Sequence, residues 1–208
     1  HNDFTNRKRC PCFKVQTALN GTVLIHEKEL NRYNAIELAK VLSLVLTEQM
    51  VSKNLSVFEL VALGRQPYTN WVGNLTGDDI LIINKAISQT KIEDIKHKKC
   101  FELSDGQFQK VIIARALAQE TPLIILDEPT THLDMYHKAY ILKLLQKMAR
   151  NTNKTILFST HEIDLSIQLC DKLIILTEGK AIIDTPENHI IQGNFNTMFP
   201  KDLITFDK

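Results

Sequence analysis

Long apolar runs are missing from this 208-residue chain. The longest, such as Leu123 to Leu126 and Leu173 to Leu176, fall far short of the roughly 18–20 residues that span a bilayer. An excess of charge of one sign is missing too. Lys plus Arg number 25 and Asp plus Glu 24, so no strong field draws nucleic acid or an anionic membrane. The four cysteines make a poor disulfide framework, with Cys10 and Cys12 close together and Cys100 and Cys170 isolated. A reducing cytosol is expected. Cys10-Pro11-Cys12 has no second pair at zinc spacing and reads as two incidental thiols. No secretory pattern, internal repeat or low-complexity segment is found. The chain is long enough to bury a sizeable core in one or two domains. It is expected to be soluble, or peripheral through a protein partner.

What is present is ordered. Residues 1–20 are polar and irregular, with a basic cluster Arg7-Lys8-Arg9. Thr22 to Ile25 and Leu42 to Leu46 read as short strands, with a helix over Asn34 to Lys40 between them. Ser56 to Leu63 and Asp78 to Gln89 read as helices flanking a turn-rich loop, Gly64 to Thr69. Residues 50–102 thus form a helical block inserted in an α/β chain. From Gly106 onward, helices over Gln107 to Gln119, Tyr136 to Arg150 and Glu162 to Leu169 alternate with strands. The strands are Leu123 to Leu126, Thr155 to Ser159 and Lys172 to Leu176. That alternation argues for a mostly parallel sheet covered on both faces. Lys180 to Ile183 is expected to close a final hairpin across Glu178-Gly179.

Three runs carry chemistry. Leu103-Ser104-Asp105-Gly106-Gln107 is a Ser-and-Gly turn opening a helix, where free N–H groups and the helix dipole favour an anion. Asp127-Glu128 follows a buried strand at its carboxyl end, where open α/β sheets bind ligands. There Asp127 can hold Mg²⁺ and Glu128 can orient or deprotonate a water. His161 ends the next strand and reaches the same sheet edge, able to donate a hydrogen bond to phosphate oxygen. Asp134 reads as a helix N-cap, and His132 and His137 as surface residues without a third metal ligand.

The combination resembles the ATP-binding-cassette (ABC) ATPases. Leu103 to Gln107 resembles their signature motif, Leu123 to Glu128 the Walker B strand, Thr130 to Asp134 the D-loop, and His161 the switch histidine. Leu55 to Thr69 looks like the helical subdomain of importers for ferric siderophores, haem and cobalamin.

The resemblance implies an α/β fold of the P-loop NTPase type with an inserted helical subdomain. It divides the chain into 1–49, 50–105 and 106–208: core, helical subdomain ending in the signature, and core again. It also implies two cassettes paired head to tail with ATP and Mg²⁺ between them. Ser104, Gly106 and Gln107 would meet the nucleotide of the opposite subunit. Asp127 would bind Mg²⁺, Glu128 would polarise water, His161 would bind the γ-phosphate in its own subunit, and Asp134 would couple the two sites. Thr47 or Gln49 would serve in the Q-loop. Partners would be permease subunits docking near residues 47–73 at the cytoplasmic face of the membrane, a second ATP-binding subunit and, indirectly, a substrate-binding protein. No nucleic acid partner is expected.

The sequence departs from the family in three places. The Q-loop Gln expected after the second strand falls at Thr47, with Gln49 two residues later. Asp105 stands where many members have a second Gly. No Gly, four residues, then Gly-Lys-Ser/Thr occurs anywhere, and the single Gly-Lys, at Gly179-Lys180, continues with Ala181. Such a phosphate loop supplies charge-assisted bonds of about 1.5–3 kcal/mol each. Losing about four would remove most of a micromolar affinity, about 8 kcal/mol. Three readings follow. The first is an importer ATPase whose N-terminal part is incomplete in this sequence. The second is a degenerate cassette lending its signature to an intact partner. The third is a non-transport ABC ATPase, against which the importer-like segment and the balanced charge argue.

Overall fold

A computed structural model of the chain describes residues 21–46, 54–70, 73–177 and 179–197. Cys10, Cys12, Thr47 and Gln49 lie outside the described residues.

Three strands form the parallel sheet: β3 (Leu42–Val45), β4 (Leu123–Leu126) and β5 (Thr155–Phe158), with β4 in the middle. Their register pairs Val45 with Leu126 and Leu126 with Phe158. The alternation of side chains splits β4 between two cores. Ile124 and Leu126 join the larger core, with Val45 and the helices of the middle of the chain. Leu123 and Ile125 pack on a smaller core of Ile25, Leu30, Tyr33, Leu38 and Leu42. That smaller core carries a two-stranded hairpin, β1 (Leu24–Ile25) with β2 (Lys28–Glu29), and the helix α1 (Ala35–Val41). The hairpin was not foreseen. The strand expected over Thr22 to Ile25 shrinks to two residues, because His26 and Glu27 take positive φ values of 47° and 62° and turn the chain back.

The helical block holds α2 (Val57–Ala62) and α3 (Gly77–Thr90), which pack against α4 (Asp105–Ala118). Local chemistry sets these helix starts. Ser56, Thr76 and Ser104 each cap a helix, and their own N–H groups donate in return to the side chains of Glu59, Asp79 and Gln107. Arg65 was expected in an open loop, but it is buried. Its Nε is 2.8 Å from Asp79 Oδ1, and its Nη1 donates to Ala118 O and Glu120 Oε2, both at 2.9 Å. A guanidinium removed from water needs several acceptors, and this corner supplies them. Gly64 beside it permits close approach: a Cβ there would collide with the Arg115 carbonyl of α4.

The remaining elements are α5 (Met135–Asn151), α6 (Ile163–Leu169), β6 (Leu173–Thr177), β7 (Lys180–Asp184) and α7 (Pro186–Ile191). The β6–β7 hairpin forms as expected, antiparallel across Gly179. Helix α7 was not read from sequence. Its Thr185 cap and Pro186 at the first turn start it. Buried His189 then fastens it to β6, its Nε2 donating to Leu173 O at 3.1 Å. One expectation is narrowed. The parallel sheet is three strands wide, and among the described residues no ladder joins β5 to β6. A cavity of about 820 Å³ lies between them, lined by Leu157, Ile163, Leu169, Ile174, Leu176 and Ile183.

Candidate functional site

At the carboxyl ends of β4 and β5 the parallel register carries on by one residue, which brings Asp127 beside Ser159. The Asp127 N–H donates to Val45 O at 2.8 Å, and the Ser159 N–H donates to Leu126 O at 3.0 Å. The Ser159 hydroxyl donates to Asp127 Oδ1 at 2.8 Å and accepts from the Glu128 N–H at 2.9 Å. One serine therefore fixes both acidic residues. Nothing in the sequence around Ser159 marks it. The signal is the pairing of two apolar runs, which places the residue after Phe158 opposite the residue after Leu126.

Glu128 has φ 45°, the left-handed region that disfavours a non-glycine residue by about 1–3 kcal/mol. Its surroundings hold it there. Thr131 Oγ1 donates to Glu128 Oε2 at 2.9 Å, and His161 Nε2 lies 2.7 Å from Glu128 Oε1. The His161 side chain is 85% exposed and the Glu128 side chain 34%, so both face the open sheet edge. The structure thus brings Asp127, Glu128 and His161 together, as the sequence led one to expect.

A second group forms around the start of α5. Asp134 caps that helix, accepting from the His137 N–H at 2.9 Å, and its Oδ2 lies 2.8 Å from His137 Nδ1. These bonds to the ionised form hold the Asp134 carboxyl below its ordinary pKa. The ring of His137 lies against Gly106, where an added Cβ would come within 2.8 Å of His137 Cδ2. The His137 side chain is 42% exposed, as a surface residue, and also packs one ring edge beside Gly106. At α4, Ser104 and Gln107 bond each other, with Ser104 Oγ accepting from the Gln107 N–H at 3.3 Å. The first amides of α4 beyond that cap have no intrahelical acceptor, as at any helix start. Among the described residues, no hydrogen bond links Ser104 or Gln107 to Glu128 or His161.

No cluster of three or more His, Cys, Asp or Glu side chains forms a protein cage for a metal among the described residues. Asp127 with the Ser159 hydroxyl suits a hard cation that keeps most of its water and binds phosphate oxygen, as Mg²⁺ does. Zinc, which prefers nitrogen and sulfur ligands, fits this donor set poorly.

An anion-ready helix start and a carboxylate pair at a sheet edge are features shared with nucleotide-phosphate proteins. Residues 13–131 match the family model described as ABC transporter. An uncharacterized ABC transporter ATP-binding protein of Methanocaldococcus jannaschii is 40% identical over 86% of this chain and 62% of its own length. A petrobactin import ATP-binding protein of Bacillus subtilis is 35% identical over 83% of this chain and 68% of its own. A solved structure of a metal-chelate type ABC transporter in an inward-facing conformation superposes with a TM-score of 0.71 at 27% identity. That match covers 76% of this chain and 63% of that one. The chain belongs to the ABC transporter family, and its α/β fold is that of the family's ATP-binding domains. It spans 62% and 68% of the lengths of the two relatives.

Proposed function

We propose that this chain is the ATP-hydrolysing subunit of an importer for metal chelates, with ferric siderophores as the first class and haem or cobalamin as alternatives. The observation that carries the reading is the Glu128 carboxylate, held between Thr131 and His161 at the end of β4. In that place it can accept a proton from a water attacking the γ-phosphate. His161 Nε2 then has two uses, bonding Glu128 here and a phosphate oxygen when nucleotide arrives. Asp127 and Ser159 would hold Mg²⁺, which supplies charge neutralisation at the phosphate oxygens when bound. Ser104, Gly106 and Gln107 would contact the nucleotide of a facing subunit, and Asp134 would couple the two halves. Thr47 or Gln49 would sense the γ-phosphate.

The resemblance to importer subunits supports the partners: a second ATP-binding subunit, and permease subunits docking near residues 47–73. With them the chain would sit on the cytoplasmic face of the membrane. Among the described residues, no helix is long and apolar enough to cross it. The division into 1–49, 50–105 and 106–208 belongs to the same proposal. The test is Glu128→Gln in the intact protein. Hydrolysis should fall by about a thousandfold or more while nucleotide still binds. Turnover near the unmodified rate would remove Glu128 from the role.

A second reading rests on one specific observation, the lack of any Gly-x4-Gly-Lys-Ser/Thr in the sequence. In it the chain binds no nucleotide through its own Walker B half and lends Ser104 and Gly106 to an intact partner. Nucleotide crosslinking separates the two. Label on the intact protein in the absence of any other cassette supports the first reading. Label only when an intact cassette is added supports the second.

A further inference from the structure

The first turn of α5 touches two parts of the site that no direct bond joins. On one side, the His137 ring lies under Gly106 of the signature segment. It is steadied there by Asp134 at 2.8 Å. On the other side, Lys138 Nζ donates to Glu162 Oε1 at 2.6 Å. Both side chains of that pair are largely covered, at 27% and 29% exposure. Glu162 directly follows His161, whose Nε2 meets Glu128 Oε1 at 2.7 Å. The Glu162 N–H is further tied to Thr160 Oγ1 at 3.0 Å, so the segment carrying His161 is anchored at its base.

We propose that this turn is a strut between the chain's own hydrolytic group and its own signature, with His137 and Lys138 as positioning residues. The idea rests on the reading that Glu128 and His161 serve one nucleotide while Ser104 and Gly106 serve another. Adjacent residues of a helix cannot move independently, since the backbone ladder fixes their separation. A shift of His161 toward phosphate would draw Glu162, and Lys138 would pass that displacement to His137. The His137 ring packs where a Cβ on Gly106 would stand, and packed groups pass on displacement. The identity of Gly106 then has a second cause besides phosphate approach: a larger residue collides with His137.

Coupling of this kind is established only by measuring it. In nucleotide-free protein, Lys138→Met should speed amide hydrogen exchange by about threefold or more both over residues 162–166 and over residues 107–109, the first protected amides of α4. Lys138→Arg, which keeps the bond to Glu162, should restore both. Faster exchange confined to residues 162–166 would overturn the strut, since a merely local bridge behaves that way. In ATPase assays of the intact protein, Lys138→Met and His137→Ala should each lower kcat about tenfold with KM for ATP within about twofold. Gly106→Ala should be inactive and Gly106→Ala/His137→Ala partly recovered. No recovery would assign the glycine to the nucleotide alone and remove His137 from the strut. Hydrolysis that is absent, or unaffected by Glu128→Gln, counts against the functional reading and leaves the exchange result to stand or fall by itself. Hydrolysis that needs Glu128 but ignores Lys138 and His137 counts against the strut.

Discussion

Ser159 shows how one hydroxyl can order a phosphate site. It accepts from the Glu128 N–H and donates to Asp127, so its loss frees both acidic residues at once. An N–H left without its acceptor costs about 1–3 kcal/mol, and Glu128 already carries backbone strain. Ser159→Ala should therefore lower turnover about tenfold and raise the Mg²⁺ concentration for half-maximal hydrolysis, read from a Mg²⁺ titration of ATPase rate. An unchanged Mg²⁺ requirement would show that Asp127 keeps its place without the serine. Asp127, Glu128 and His161 were legible in the sequence because they follow short apolar runs that read as strands, bounded by polar residues. Ser159 ends such a run as well, but serine is common there, and its role depends on register with a strand some thirty residues away. The same holds for His137: its spacing from Asp134 is local, whereas its contact with Gly106 is set by how α5 meets α4.

A helix start is written locally, within about four residues. Asn34, Ser56, Thr76 and Ser104 each stand three places before a Glu, Asp or Gln that returns the bond. Contacts between elements were not readable. Gly64 looks like a turn residue, yet it is where the turn after α2 meets the α4 backbone. Gly64→Ala should destabilise the fold by about 1–3 kcal/mol, measured as a lower urea midpoint with unchanged slope. Asp79 gives this corner a pH dependence. Hydrogen bonds from Thr76, its side chain before its backbone, and then the Arg65 bond bring its pKa down to about 2 from an ordinary 3.8. A carboxyl whose pKa is lower folded than unfolded stabilises the fold above the unfolded value, and that share is lost as pH falls through the folded one. Unfolding midpoints followed from pH 5 to pH 2 should drop, and Asp79→Asn should flatten the part of the curve below about pH 4. Removing one partner of so buried a pair should also cost about 3–5 kcal/mol at neutral pH.

At the scale of the whole molecule the near-zero net charge of +1 and the interrupted sheet act together. The composition made the first plain. The second was hidden, because alternation of strands and helices predicts a parallel sheet without saying how many strands are joined. Among the described residues no strand pairs with β5 on the side away from β4, and Leu157 is 42%, Ile174 46%, Ile183 61% and Leu176 74% exposed around one opening. Backbone groups along an unpaired strand edge are a template for any other strand, and apolar neighbours strengthen the attraction. In colloidal terms, the described residues present an apolar rim with little net charge to keep copies apart. The chain's particle size in light scattering should grow with concentration and hardly respond to added salt, and an apolar dye should fluoresce in its presence. Leu157→Lys, placing a charge at the rim, should suppress both signals. Equal scattering from that variant would move the sticky surface elsewhere.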